Sequence, residues 1–462
     1  MASPRAIGRH RFAPCDASIL SLSHGILLAA TLTLFSHGCG KDDPAPSGPF
    51  TVRVSVGTGG LEATGGMSGV PAVSADGRFI AFASEASNLV ADDTNGQADV
   101  FVHDRATGLT HRVSVTSAGA QAVGGGSRGP SISGDGRYVA FESDATNLVS
   151  NDTNTVTDIF LHDRQTGETS RVSIASSGGQ AVGLGSFGPA ISADGQQVAF
   201  ASGASNLVLG DSNGLTDIFV RDRTANVTSR VSVSTGGGQA TGPAGALTPA
   251  VSADGRIVAF ASAQSDLVAN DTNNAYDVFV HDRLTGETTR VSVATGGAQA
   301  AGGASDSPAL NADGSIVAFR SSATNVVAAD SNGVGDVFVR DLTAGQTVRV
   351  SVGSGDTEAA GSSTLRNGGL TDNGRFVVFQ SAAANLVAED TNSQADVFVH
   401  DRTTGQTTRQ SVGSGGAEAS GGESANPVIS SNGALVVFDS FADNLMVGDT
   451  NGQLDVFAAS RR

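Results

Sequence analysis

The segment Asp93-Thr94-Asn95-Gly96-Gln97-Ala98-Asp99-Val100-Phe101-Val102 returns seven times with light editing. Its last aspartate falls at Asp99, Asp158, Asp217, Asp277, Asp336, Asp396 and Asp455, every 59 or 60 residues. So regular a period means one supersecondary unit repeated along the chain. Each unit reads as four short strands. In the first unit these are Pro71-Ala-Val-Ser74, Phe79-Ile-Ala-Phe82, Val100-Phe-Val-His103 and Arg112-Val-Ser-Val115, with Asp76-Gly77 expected to form a type I′ turn and Thr107-Gly108 a second turn. Apolar residues occupy both strand faces, the pattern of sheets sandwiched between neighbours. Four antiparallel strands per unit make a propeller blade, and seven units make a ring.

The ends of the chain indicate how the ring closes. The seventh unit stops after its third strand, Asp455-Val-Phe-Ala-Ala-Ser460, whereas Thr51-Val-Arg-Val-Ser-Val56 repeats the outer strand Thr347-Val-Arg-Val-Ser-Val352. The expected fold is therefore all-β: a seven-bladed β-propeller of four-stranded antiparallel blades, closed by the N-terminal strand completing the last blade, which removes two open sheet edges. Sixty-one glycines, two tyrosines and no tryptophan suit short strands and tight turns.

The first 49 residues read differently. Arg5, Arg9 and Arg11 precede an apolar run from Ile19 to Phe35, the pattern of an export signal. The following Ser36-His37-Gly38-Cys39 resembles the lipobox of bacterial lipoproteins, with Gly38 and Cys39 in place and Ser36 and His37 departing from it. The expected organisation is a signal peptide over 1–38, a lipidated Cys39 with a flexible tether over 39–49, and the propeller over 50–462. Cys15 and Cys39 are the only cysteines, so the propeller carries no thiol chemistry. The formal charge of −18 opposes nucleic-acid binding and favours cations or basic partners.

The units Ser74-Ala-Asp-Gly-Arg-Phe-Ile-Ala-Phe82 and Asp99-Val-Phe-Val-His-Asp104 resemble the WD-like propeller repeats of the TolB type, over roughly residues 51 to 458. The resemblance implies a propeller. This chain shows no N-terminal α/β domain of the kind found in TolB.

All seven repeats keep Asp-x-Asn-x-x-x-Asp. The residues are Asp93, Asn95 and Asp99; Asp152, Asn154 and Asp158; Asp211, Asn213 and Asp217; Asp271, Asn273 and Asp277; Asp330, Asn332 and Asp336; Asp390, Asn392 and Asp396; and Asp449, Asn451 and Asp455. Oxygen ligands at alternate positions followed by a carboxylate suit Ca²⁺, and the spacing is similar to the later part of integrin-type propeller loops. The first ligand of such loops is missing, because Ala91, Ser150 and Leu209 stand there. The other reading makes Asp93 and Asn95 turn-forming residues and Asp99 a packing residue. No cofactor is required, and Ca²⁺ is the candidate stabilising ion.

His103, His162, His281 and His400 share one strand position with Arg221 and Arg340, which argues for a tolerated basic residue and against catalysis. Variation between repeats points elsewhere. Aligned by the period, Gly69, Arg128, Phe187, Leu247, Asp306, Arg366 and Ala425 ring the expected central opening. Packing does not require Arg128, Phe187, Asp306 and Arg366 at equivalent places, so these are the candidate ligand contacts. The one-residue insertions that turn 59 into 60 are expected in the Gly-rich connections between blades. The expected function is a cell-envelope or surface lipoprotein of the bacterial outer membrane or periplasm. It would act as a monomeric, non-enzymatic binding platform for a protein or peptide, touching the membrane only through its lipid anchor. The alternative is a propeller hydrolase or lyase with its site in the central channel.

Overall fold

A computed structural model describes residues 50–242 and 244–462. The expected export signal, Cys39 and the expected tether lie outside the described residues. Twenty-eight strands form seven four-stranded antiparallel sheets, arranged as the blades of a propeller. Blade one runs outward from the axis through Ser68–Val73, Phe79–Ser84, Asp99–Asp104 and Leu109–Arg112. Its outermost strand thus pairs about three residues earlier than the run Arg112–Val115 predicts. Val113 to Val115 turn instead into the connection, where Val115 bridges Gln121.

The seventh blade is completed from the other end of the chain. Thr51–Arg53 pairs antiparallel with Asp455–Ser460, Thr51 opposite Ala459 and Arg53 opposite Phe457. Every residue of a third strand such as Asp99–Asp104 is buried, because its two faces meet different neighbours. Phe101 packs with Val437 and Val456 of blade seven, while Val100 and Val102 pack with Val139 and Phe141 of blade two. A stacked phenylalanine pair, such as Phe82 with Phe101 at 5.9 Å, recurs in all seven blades. Each buried ring contributes roughly 1.5–3 kcal/mol.

The fully buried motif aspartate at the head of the third strand ties that strand to its partner outside. Asp99 Oδ1 accepts from Ser114 Oγ at 2.5 Å; its Oδ2 accepts from Asn95 Nδ2 at 2.8 Å and Arg112 Nη1 at 3.3 Å. Ser114 Oγ in turn accepts the N–H of Val100. The arrangement repeats in every blade, and in blade seven Ser55 and Arg53 of the N-terminal strand supply it to Asp455.

At the axis a second device joins the blades. The N–H of Ala75 donates to the carbonyl of Gly134, and the chain of bonds continues through Ala193, Ala253, Ala312, Asp372 and Ser431 back to Ala75. These seven bonds of 2.9–3.2 Å form a closed belt. The turn carrying it is not the expected type I′. Only Gly77 has a positive φ, of 75°, and its N–H donates to the Ser74 carbonyl, which makes a type I turn followed by a left-handed glycine. The same glycine in blade two, Gly136, also lets the turn press onto the previous blade, since a Cβ there would lie 2.2 Å from the Phe79 ring.

Two changes should separate strand closure from local packing. Removing residues 50–56 from the full chain is expected to abolish a single cooperative melting transition. Ser55→Ala, which strips one hydrogen bond from the buried Asp455 carboxylate, is expected to cost about 1.5–3 kcal/mol in denaturant unfolding. A single unshifted transition in the truncated chain would show that the ring closes without this strand.

Candidate functional site

The inner strands meet around the axis, and six of them carry the same irregularity. Val70, Gly129, Gly188, Thr248, Ser307 and Asn426 have φ between 49° and 61°, and each is followed by proline. The inner-strand register shifts at this point, as between Gly69 and Ala72. Proline is tolerated here because the strand is the innermost one of its sheet and needs no ladder donor on the channel side. Left-handed backbone at β-branched Val70 and Thr248 is sterically costly, on the order of 1–3 kcal/mol each, and such strain gathers at functional sites.

Blade six departs from this plan. Its inner strand shrinks to Ser363–Thr364, followed by Leu365-Arg366-Asn367-Gly368-Gly369 in place of the bulge and proline. Eleven positions separate Ser363 from the turn Gly374, against nine from Ser305 to Gly314 in blade five. The apparent one-residue insertion is therefore two residues added at the axis and one removed from the connection. Only the blade-four insertion lies in a connection, as expected. Strand pairing shows that Thr364, opposite Gln380, is the counterpart of Arg128, opposite Glu142, so Arg366 lies two residues deeper than the period implies.

These segments enclose a cavity of about 330 Å³. Its walls include Pro71, Pro130, Pro189, Pro249 and Pro308, with Val73, Ile132, Ile191, Val428 and Ile429, and Arg366 is its one ionisable lining residue. Of the four candidate contacts, only Arg366 reaches it. Arg128 is held on the rim by Glu142 and Asp144, both at 2.9 Å, and Asp306 pairs with Arg320 at 3.0 Å. Phe187 stands 36 % exposed on the rim beside Ala201.

Arg366 is half-buried, and its side chain makes no hydrogen bond among the described residues, although Nη1 is fully enclosed. Burial pushes its guanidinium down from the ordinary arginine range, while the Asp439 carboxylate pulls it back up. Asp439 is too far away for an ion pair. It is fully buried and accepts hydrogen bonds from Val70 N–H at 2.9 Å and Asn426 Nδ2 at 3.0 Å. Arg366 thus brings an unmatched charged donor to a cavity whose other lining residues are uncharged.

The Asp-x-Asn-x-x-x-Asp loops already hold a cation of the protein's own. The arginine of the outermost strand lies 3.0–3.5 Å from the first aspartate in every blade and 2.9–3.7 Å from the last. Asn95 accepts the N–H of Gln97, closing an Asx turn. Blades five to seven differ because Glu358, Glu418 and Glu62 replace the glutamines Gln121, Gln180, Gln239 and Gln299 of the other four. This gives three groups in which the carboxylate oxygens lie within 4.8 Å of one another: Asp330, Asp336 and Glu358; Asp390, Asp396 and Glu418; and Asp449, Asp455 and Glu62. They are acidic clusters able to attract a metal ion. The glutamates take the arginine at 2.5–2.7 Å; against the desolvation cost, hydrogen bonds from Thr450, Ser331 and Thr391, and then that arginine, hold Glu62, Glu358 and Glu418 down to about 2. Burial and the neighbouring carboxylates push Asp390 and Asp449 up to about 6.

The shared histidine position is structural. His103 Nδ1 is 3.0 Å from Thr110 Oγ1, and His162, His281 and His400 repeat the bond to Thr169, Thr288 and Thr407. Burial lowers each imidazole's pKa.

No protein-family model and no curated protein matches the sequence. Solved structures do match the fold. An oligogalacturonate lyase from Vibrio parahaemolyticus shares 12 % identity over 89 % of this chain and 97 % of its own, with a TM-score of 0.52. An oligogalacturonate lyase in complex with manganese shares 12 % identity over 90 % and 97 %, with the same TM-score. TolB from Acinetobacter baumannii shares 17 % identity over 61 % of this chain, with a TM-score of 0.36; the match spans about half of the TolB chain. Likeness at these identities is a likeness of fold. It nevertheless corrects the expectation that the chain is not an enzyme, because two lyases share this architecture over nearly all of the described residues.

Raised carboxylates have a measurable consequence. Between about pH 4 and 6 the folded chain keeps protons on Asp390 and Asp449 that the unfolded chain has released, so these two groups remove stability as pH rises through that window. The lowered glutamates act only below about pH 4.5. Asp390→Asn with Asp449→Asn is therefore expected to raise the melting temperature at pH 7.5 and leave it nearly unchanged at pH 4. Equal shifts at both values would refute this account.

Proposed function

We propose that the chain is an exported cell-envelope lipoprotein whose propeller binds an anionic ligand in the axial cavity, with Arg366 as the anchor. The lipoprotein element rests on the Gly38-Cys39 segment after the apolar run. The binding element rests on one observation: Arg366 alone among the channel's charged side chains has no protein partner within bonding distance among the described residues. Arg128, Glu142, Asp306, Arg320 and Asp439 are all satisfied. An enclosed guanidinium nitrogen without an acceptor costs about 1–3 kcal/mol, and a bound anion supplies the missing acceptor.

The three glutamate-bearing clusters favour a second, separate element, a Ca²⁺-stabilised rim over blades five to seven. Four blades do without the glutamate, so Glu62→Gln, Glu358→Gln and Glu418→Gln are structurally tolerated controls. Ca²⁺ is expected to raise the parent's melting temperature and to have no effect on the triple variant. An equal response of the two proteins to Ca²⁺ and EGTA would remove the calcium element.

The anchor itself is tested by Arg366→Met. Loss of the unmatched donor is expected to raise unfolding stability by about 1–3 kcal/mol, while the melting-temperature increase produced by millimolar acetate or phosphate disappears. A variant that is no more stable than the parent and still responds to both anions would overturn the assignment.

A further inference from the structure

We infer that the ligand of the axial cavity is a small organic carboxylate with a compact apolar body, bound by Arg366 and by backbone N–H groups of the inner-strand bulges. This rests on the anion-binding reading of Arg366 and names the anion. Twice the protein supplies such a carboxylate itself. Asp439 Oδ2 accepts the N–H of Val70 at 2.9 Å, and Glu142 Oε2 accepts that of Gly188 at 3.1 Å. Each donor is the left-handed residue of a bulge, and each acceptor comes from the second strand of the preceding blade. At the same second-strand position blades one, three and four carry Ala83, Ala201 and Ala261. The bulge N–H groups that follow them, of Gly129, Thr248 and Ser307, meet no side-chain acceptor among the described residues, and all three residues line the cavity with Arg366. Positions that take a protein carboxylate in two blades are thus left to a ligand carboxylate in three.

The walls choose the rest of the molecule. Proline, valine and isoleucine side chains, which offer neither donors nor acceptors, form the apolar part of the wall, beside the polar side chains of Ser131, Thr248, Ser307 and Asn367. Against that apolar part phosphate or a polyol sheds water without gain, whereas an apolar body gains from the same burial. A cavity of about 330 Å³ lies at the small end of ligand sites and limits the body to a few carbons or one ring. A free acid and the C-terminal residue of a peptide share this chemistry.

Titration calorimetry on the full chain separates the cases. The probes are phenylacetate, phenylacetamide, N-acetyl-Ala-Leu with a free carboxylate, the same dipeptide as its amide, acetate, and inorganic phosphate. At least one of the two apolar-bodied acids is expected to bind more tightly than acetate or phosphate, with its amide about tenfold weaker or worse. Binding of the dipeptide acid alone assigns the source to peptide C-termini, and binding of phenylacetate alone assigns it to free acids. Arg366→Met is expected to weaken binding about tenfold or more while still melting cooperatively. Ala261→Asp, which sets a carboxylate before Ser307 as Asp439 stands before Val70, is expected to weaken it too. Phosphate binding as tightly as either organic acid would overturn the carboxylate inference and leave the anion site standing. No binding by any of the anions would overturn both.

Discussion

Seven buried carboxylates hold the ring together. A charged group without solvent exposure is tolerated only when its oxygens are filled, and Asp99 and its six counterparts are filled from two directions. Asparagine comes from their own loop, and serine and arginine come from the outermost strand. Each blade therefore needs that strand for electrostatic reasons as well as for ladder hydrogen bonds. Blade seven takes that strand from the segment beginning at Thr51, which is drawn across to Asp455. The same chemistry accounts for the aspartate-rich face, which holds arginine in every blade.

Inner strands serve another purpose. Their far ends join in the belt from Ala75 to Ser431, which fixes the blades at the axis through backbone atoms and leaves their side chains free. Just before the belt, six bulges and a rebuilt sixth blade break the regular pairing, and the strain they store borders the cavity that contains Arg366. Rigidity at the belt and irregularity beside it are what a preformed binding cavity requires.

Several readings of the repeat succeeded because their causes are local. Strand order within a blade and the asparagine turns follow from residues a few positions apart, and blade number follows from the 59- to 60-residue period. The outer strand was placed late because Arg112-Val-Ser-Val115 looks strand-like, although Val113 and Ser114 close the blade from outside the ladder. Arg128 and Asp306 stood out as unusual, yet each has its partner fourteen residues on, at Glu142 and Arg320. That correlation was present in the sequence once second strands were compared as well as first ones. The period sets Arg366 level with Arg128 because it hides compensating changes in length; pairing of Ser363 with Ser381 reveals its true depth. The alternation of glutamine and glutamate between blades was equally visible and passes unnoticed until Arg53, Arg349 and Arg409 are seen to meet it.

By itself the sequence determined the architecture: the period sets seven blades, the short apolar runs and the turns between them set four strands in each, and the matching ends set the closure. These rest on hairpins and strand pairs whose partners are near in the chain or identical in composition. The contents of the axis were decided only by tertiary structure. Arg366, Asp439 and the bulges at Gly129, Thr248 and Ser307 come from five different blades, and nothing in their local sequence brings them together. They converge because ring closure points seven inner strands at one line, where an unmatched arginine and a wall of prolines line one cavity.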